Sequence, residues 1–234
     1  MNVELLRARL AGVRERIARA ADRARRDPAS VRLVAVSKTF PADSVRMAAD
    51  GGVLDFGENK VQEALDKMER TADLTLRWHL IGHLQSNKAK KAGASFHTIH
   101  SVDGPDLGSK LDQAARAANR SVELLVQVDL AGETTKHGAR EDALLSIFNA
   151  AAAWRAARIT GLMLLPPATE NPEDARPYFR ELQAVRGRLL ARGVDKSMLT
   201  DLSMGMSHDF DVAVEEGATL VRVGTAIFGS RTYV

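Results

Sequence analysis

Eight short apolar runs, each separated from the next by a stretch of helical period, constrain this chain more than any other feature. The runs fall at 33–37, 53–57, 78–83, 98–102, 122–129, 159–165, 199–203 and 220–223. Segments 42–50, 60–70, 86–92, 105–119, 140–156, 172–192 and 208–216 carry the helical pattern between them. Short runs without polar alternation read as strands buried on both faces, the type found in parallel sheets. Strands that alternate with helices build that sheet, and eight such units predict an α/β fold closed as a (β/α)₈ TIM-type barrel. An open doubly wound sheet is the rival, but it has fewer strands and a glycine-rich first turn, and no G-x-G-x-x-G follows any run. A length of 234 residues suits the barrel, and no linker or low-complexity tract interrupts it, so 1–234 is read as one domain.

Ahead of the first run, residues 2–26 form a basic amphipathic helix within the segment 1–27. Val3, Leu6, Leu10, Val13, Ile17, Ala20 and Ala24 share one stripe, and arginines fill the rest. The plain reading is an extra helix packed on the barrel with a solvated arginine face. The alternative is an adaptor helix for nucleic acid or membrane. Charge favours the plain reading, because 33 basic against 30 acidic residues leave only +3, too balanced to name a polyanionic partner. The chain has no cysteine, which removes disulfides, zinc–thiolate sites and a thiol nucleophile, and fits a reducing cytoplasm. No apolar signal core and no membrane-length apolar run is present. A cytoplasmic protein is expected, without nucleic-acid or membrane partners.

In a barrel, functional groups sit where strands end. The first run, LVAVSKTF at 33–40, ends on Lys38. A partly dehydrated lysine has a lowered pKa and can form an imine with an aldehyde. The competing reading is a stem laid on apolar surface with its ammonium in water. At the other end of the chain, LSMGMSHDF (202–210) and VRVGTAIFG (221–229) supply Ser203, Ser207, Arg222, Gly224 and Thr225 at the ends of runs seven and eight and in the turns after them. Those are the usual phosphate turns of a barrel. Closure makes strands one and eight neighbours, so an amine would face a phosphate seat. A small ring carrying an aldehyde and a phosphate is pyridoxal 5′-phosphate (PLP).

AVSKT, FGENKVQEALDK, WHLIGHLQSNKAK, IHSVD, ETTKHG, GLM and LSMGMSHDFDVAVEEGATLVRVGTAIFG resemble the YggS/PROSC family of pyridoxal phosphate homeostasis proteins, from about residue 30 to the C-terminus. That family is similar to the barrel domain of alanine racemase but lacks the racemase's second domain. The resemblance implies that Lys38 is the Schiff-base lysine and that Ser203, Ser207, Gly224 and Thr225 hold phosphate. Asn59 would lie near the cofactor, and Arg222 would meet either its ring nitrogen or its phosphate. Lys60 departs from the tyrosine expected after GEN, at a position read as the start of an exposed helix. The role implied is holding and delivering PLP, with apo-forms of PLP enzymes as partners, without catalytic residues of its own, and as a monomer. A weak amino-acid racemase is the alternative. Against it, an arginine at the ring nitrogen is a permanently charged donor that weakens the electron sink. The racemase's opposing tyrosine also has no counterpart in the motifs around Tyr178 and Tyr233.

His79 and His83, read on one face of the third strand, stand too far apart for one ion, and no metal is expected. Lys136, after the fifth strand, either anchors Glu133 and its loop, serves as a second amine in cofactor transfer, or is a surface lysine. NKAKK (87–91) is read as a solvated helix face. Trp78, Trp154, Phe56 and Phe148 are read as core.

Overall fold

The computed structural model describes residues 2–132 and 137–230, so Glu133, Lys136 and Tyr233 lie outside the described residues. Eight parallel strands close on themselves in chain order: β1 (Arg32–Val36), β2 (Asp55–Glu58), β3 (Arg77–Leu80), β4 (Thr98–Val102), β5 (Val122–Val128), β6 (Ala157–Leu164), β7 (Asp201–Met206) and β8 (Leu220–Val223). The closing pair is β1 with β8, in a register that sets Val34 beside Arg222 and Ala35 beside Val223. This is the (β/α)₈ barrel that the apolar rhythm predicts. Helices wrap it: α1 (Val3–Arg23), α2 (Ala42–Asp50), α3 (Val61–Arg70), α4 (Ala89–Ser95), α5 (Pro105–Ala117), α6 (Glu141–Ala151), α7 (Arg176–Ala191), α8 (Phe210–Glu215) and α9 (Thr225–Phe228). No described helix is long and apolar enough to cross a membrane.

The core has two parts. A large cluster between strands and helices takes in Phe56, Phe96, Phe179 and Phe210 together with Trp78, Trp154 and Phe148. A second cluster, Val34, Leu125, Met163 and Leu220, is fully buried and separate from it, as side chains enclosed by the strands must be. Each fully buried side chain of this size contributes roughly 1.5–3 kcal/mol.

The leading helix α1 starts where Asn2 accepts the amide of Glu4 at 2.8 Å, a side-chain N-cap. It buries Leu6, Leu10, Val13, Ile17 and Ala20 from the expected stripe, plus Ala21, against α2, α8 and α9. Several of its arginines are not simply solvated. Arg14 donates to the carbonyls of Gly51 and Gly52, both at 2.9 Å. Arg16 pairs with Asp211 while its guanidinium lies 4.2 Å from the centre of the Phe210 ring. Arg23 meets Glu215 at 2.6 Å, and Arg26, just past the helix, donates to the carbonyls of Val214 and Ala218 at 2.7 and 2.8 Å. The arginine face is thus partly a set of staples to the final βα units.

Two C-terminal strand ends differ from expectation by three residues, the others by at most one, and those two matter for the site. The third strand stops at Leu80 instead of running to 83, because the following loop folds onto the second strand's end. A Cβ at Gly82 would lie 2.5 Å from the carbonyl oxygen of Asn59. The seventh strand runs on to Met206 instead of stopping at 203, through a bulge at Gly205, whose φ is +90°. A side chain there would meet Ala213 at 2.5 Å and the backbone of Phe210 at 2.9 Å.

Candidate functional site

A pocket of about 450 Å³ opens at the C-terminal rim of the barrel, within the usual size range of small-molecule sites. Lys38, Asn59, Ser207, Arg222, Gly224 and Thr225 all line it, with Val36, Phe40, Ile81 and Leu165 as apolar wall. Six of the seven residues singled out from sequence therefore meet in one place. The seventh, Ser203, is not in the lining. The longer seventh strand sets it inside the barrel, fully buried, where its hydroxyl accepts from Nη1 of Arg222 at 2.6 Å.

The strand end that presents Lys38 is fixed by a buried polar knot. Ser37 is fully buried and donates its hydroxyl to Oε1 of Glu58 at 2.6 Å. Lys67, from α3, donates to the Ser37 carbonyl at 2.7 Å, to Glu58 at 2.6 Å and to Glu63 at 2.8 Å. Burial pushes the Glu58 carboxyl up, opposed by its bonds from Lys67 and Ser37. Glu63 is held low: burial would raise it, but Lys67 and the Thr39 amide outweigh that effect. Thr39 occupies the left-handed region at φ 70°, costly for a β-branched residue, and its N–H donates to Glu63 at 2.5 Å. Residues 37 and 39 are thus pinned on either side of Lys38. Sequence reading missed Lys67 and Glu63; their i, i+4 spacing in VQEALDK was the available signal.

Across the β1–β8 seam lies a cluster of donors. The Ser207 hydroxyl accepts the amides of Gly224 and Ala226 at 3.1 and 3.3 Å, tying the turns after β7 and β8 together. A Cβ at Gly224 would stand 3.2 Å from the Val36 carbonyl, so glycine lets this turn lie close against β1. Arg222 is nearly buried and its Nη2 donates to the Leu164 carbonyl at 2.8 Å. Burial lowers its pKa to about 10, partly offset by Asp209, which still leaves a cation at neutral pH. Among the described residues no carboxylate lines the pocket.

Three groups at the pocket edge have metal-ligating chemistry. One donor atom each from His83, Asp103 and His137 lies within 4.8 Å of the others. The two imidazoles are stacked, with ring centres 3.5 Å apart and planes 13° from parallel. Burial, with His137 second, lowers the pKa of His83 and favours its neutral form. His79 belongs elsewhere: it is buried in the barrel, and His83 is in the loop beyond the strand. Lys60 is exposed at the start of α3, and Tyr178 sits on α7, outside the pocket lining.

Comparison with known proteins places this geometry. Residues 9–232 match the family model described as alanine racemase, N-terminal domain. The pyridoxal phosphate homeostasis protein of Aquifex aeolicus is 43% identical over 225 residues, covering 96% of this chain and 98% of that one. Its Escherichia coli namesake is 37% identical over 230 residues, covering 96% of both. The structure of PipY from Synechococcus elongatus with PLP bound superposes with a TM-score of 0.85 at 39% identity, covering 96% of this chain and all of that one. An alanine racemase from Clostridium difficile shares the fold alone, with a TM-score of 0.73 at 14% identity and 58% of its length covered. The chain therefore belongs to the pyridoxal phosphate homeostasis protein family, built on the barrel of the alanine racemase N-terminal domain.

Proposed function

We propose that the rim pocket binds PLP with its aldehyde held as a Schiff base on Lys38, and that the protein stores and delivers PLP in the cytoplasm without turning substrate over. The observation that carries this reading is the β1–β8 seam, which brings an amine and an anion seat into one 450 Å³ pocket. The donor set fits the group: a lysine on one side, and the Ser207 and Thr225 hydroxyls on the other. Arg222 supplies the cation, and Asn59 completes the wall beside the ring. Ser203 acts through Arg222, since its hydroxyl is already buried against that guanidinium. The names of the relatives and the PLP-bound state of PipY support the same reading.

Bound PLP supplies an electron sink. Arg222, as a donor that stays charged, opposes protonation of a ring nitrogen placed against it. A weak racemase would also need a second base, for which the described lining offers His83, His137 and His208. Assays of loaded protein with alanine and serine separate the readings; turnover near ~1 s⁻¹ would establish an enzyme. The adaptor reading is weakened by the arginines that α1 spends on the barrel.

The direct test is to load the protein with PLP, reduce with borohydride and map the label. A visible band that reduction abolishes, with the added mass on Lys38 and absent from Lys38→Ala, is the expected result. An unmodified Lys38 in loaded wild-type protein would overturn the assignment. Transfer of PLP to an apo-enzyme, compared with free PLP, tests delivery.

A further inference from the structure

A line of polar side chains crosses the barrel interior beneath the pocket. Arg222 donates to Ser203 at 2.6 Å, and the Ser203 hydroxyl meets Nδ1 of His100 at 2.8 Å. Nε2 of His100 meets Nδ1 of His79 at 2.9 Å, and Nε2 of His79 meets Asp55 at 2.9 Å. Arg77 closes the line with a two-point contact to Asp55 at 2.8 and 2.6 Å. From Arg222 to Asp55 no residue is more than 4% exposed, while half of the Arg77 side chain reaches solvent at the opposite end of the barrel.

One placement of protons satisfies every contact. Burial would raise the Asp55 carboxyl, but His79 and Arg77 hold it at about 2, so it is an acceptor. His79 then carries its proton on Nε2 and accepts at Nδ1 from His100 Nε2–H. His100 accepts at Nδ1 from the Ser203 hydroxyl, whose oxygen accepts from Arg222. Burial keeps His100 well below the ordinary imidazole value, as a neutral ring in this chain requires. Putting the His79 proton on Nδ1 alone would aim a lone pair at the carboxylate. Protonating both nitrogens would turn His100 around and leave the Ser203 proton without its acceptor. A buried network of this length is costly unless every member is paired, and apolar residues would fill the barrel more cheaply.

We propose that Asp55, His79, His100 and Ser203 are positioning residues that hold Arg222 in one orientation, so that the charge at Asp55, across the barrel, governs how Arg222 meets the pocket ligand. The cofactor-dependent half of the idea rests on the PLP reading above. The hydrogen-bond order does not, so the two can fail separately.

The experiment uses the full chain in two forms. In cofactor-free protein at pH 7.5, ¹H–¹⁵N long-range spectra of the histidine side chains should show His79 and His100 both protonated on Nε2. In Asp55→Asn the His100 proton should move toward Nδ1, although Asp55 does not touch that ring. In PLP-loaded protein, Asp55→Asn should displace the visible band of the bound cofactor while the cofactor remains reducible onto the protein. Ser203→Ala, the smaller change at the pocket end, should displace the band as well, and it stands in if Asp55→Asn does not fold. A wild-type His100 protonated on Nδ1, or a band at the wild-type position in the folded variants, would overturn the proposal. Wild-type protein that takes up no PLP would instead overturn the pocket reading and leave the proton order to the spectra.

Discussion

Lys67 and Glu58 show how much one side chain decides at this site. Replacing Lys67 with methionine keeps the stem but leaves the Glu58 carboxyl buried without its cation. Oε2 of Glu58 has no hydrogen-bond partner among the described residues, so the Ser37 hydroxyl on Oε1 is the side-chain donor that remains. Breaking such a pair costs roughly 3–5 kcal/mol. We expect Lys67→Met to lose about that much in urea unfolding, and Lys67→Met with Glu58→Gln to recover a large part of it. Asp55 makes a separate prediction with a defined sign. Its folded pKa of about 2 is below the ordinary aspartate value of 3.8, so its contribution is complete above pH ~4 and lost as pH falls toward 2. The full amount is about 2–3 kcal/mol, and unfolding curves between pH 7 and 2.5 should be flatter for Asp55→Asn than for wild type. Residues differed in how readable they were. Lys38 stood out because an ammonium at the end of a buried strand needs a reason. Lys67 did not, because a lysine in a helical pattern normally faces water.

At the scale of elements, apolar periodicity located every strand, but not where each one stops. Gly205 is the instructive case. The seventh strand continues through a left-handed residue, which shifts the in–out alternation and carries Ser207, not Ser203, to the rim. No periodicity rule sees a bulge in advance. We predict that Gly205→Ala destabilises the protein by more than about 1–3 kcal/mol, since strained backbone adds to the clash with α8. PLP affinity should fall with it, because Ser207 and the Gly224 turn follow the bulge; thermal melts and equilibrium loading measure the two effects. The short α9 was likewise unforeseen, because four residues are too few to show a period.

For the molecule as a whole, the reading of 1–234 as one domain predicts a single cooperative transition. Calorimetric and van't Hoff enthalpies should agree, and two separated transitions would refute the reading. Sedimentation should show a monomer if the family resemblance holds in this respect. The closed order of strands has one more consequence, and it concerns biosynthesis. β1 hydrogen-bonds to β8 as well as to β2, and α1 packs on α8 and α9 as well as on α2, so segments early in the chain find part of their partners only among the last βα units. Until α8 and α9 are made the stripe of Leu6, Leu10, Val13 and Ile17 is only partly covered, and a nascent chain halted before residue 220 should stay protease-sensitive and attract chaperones.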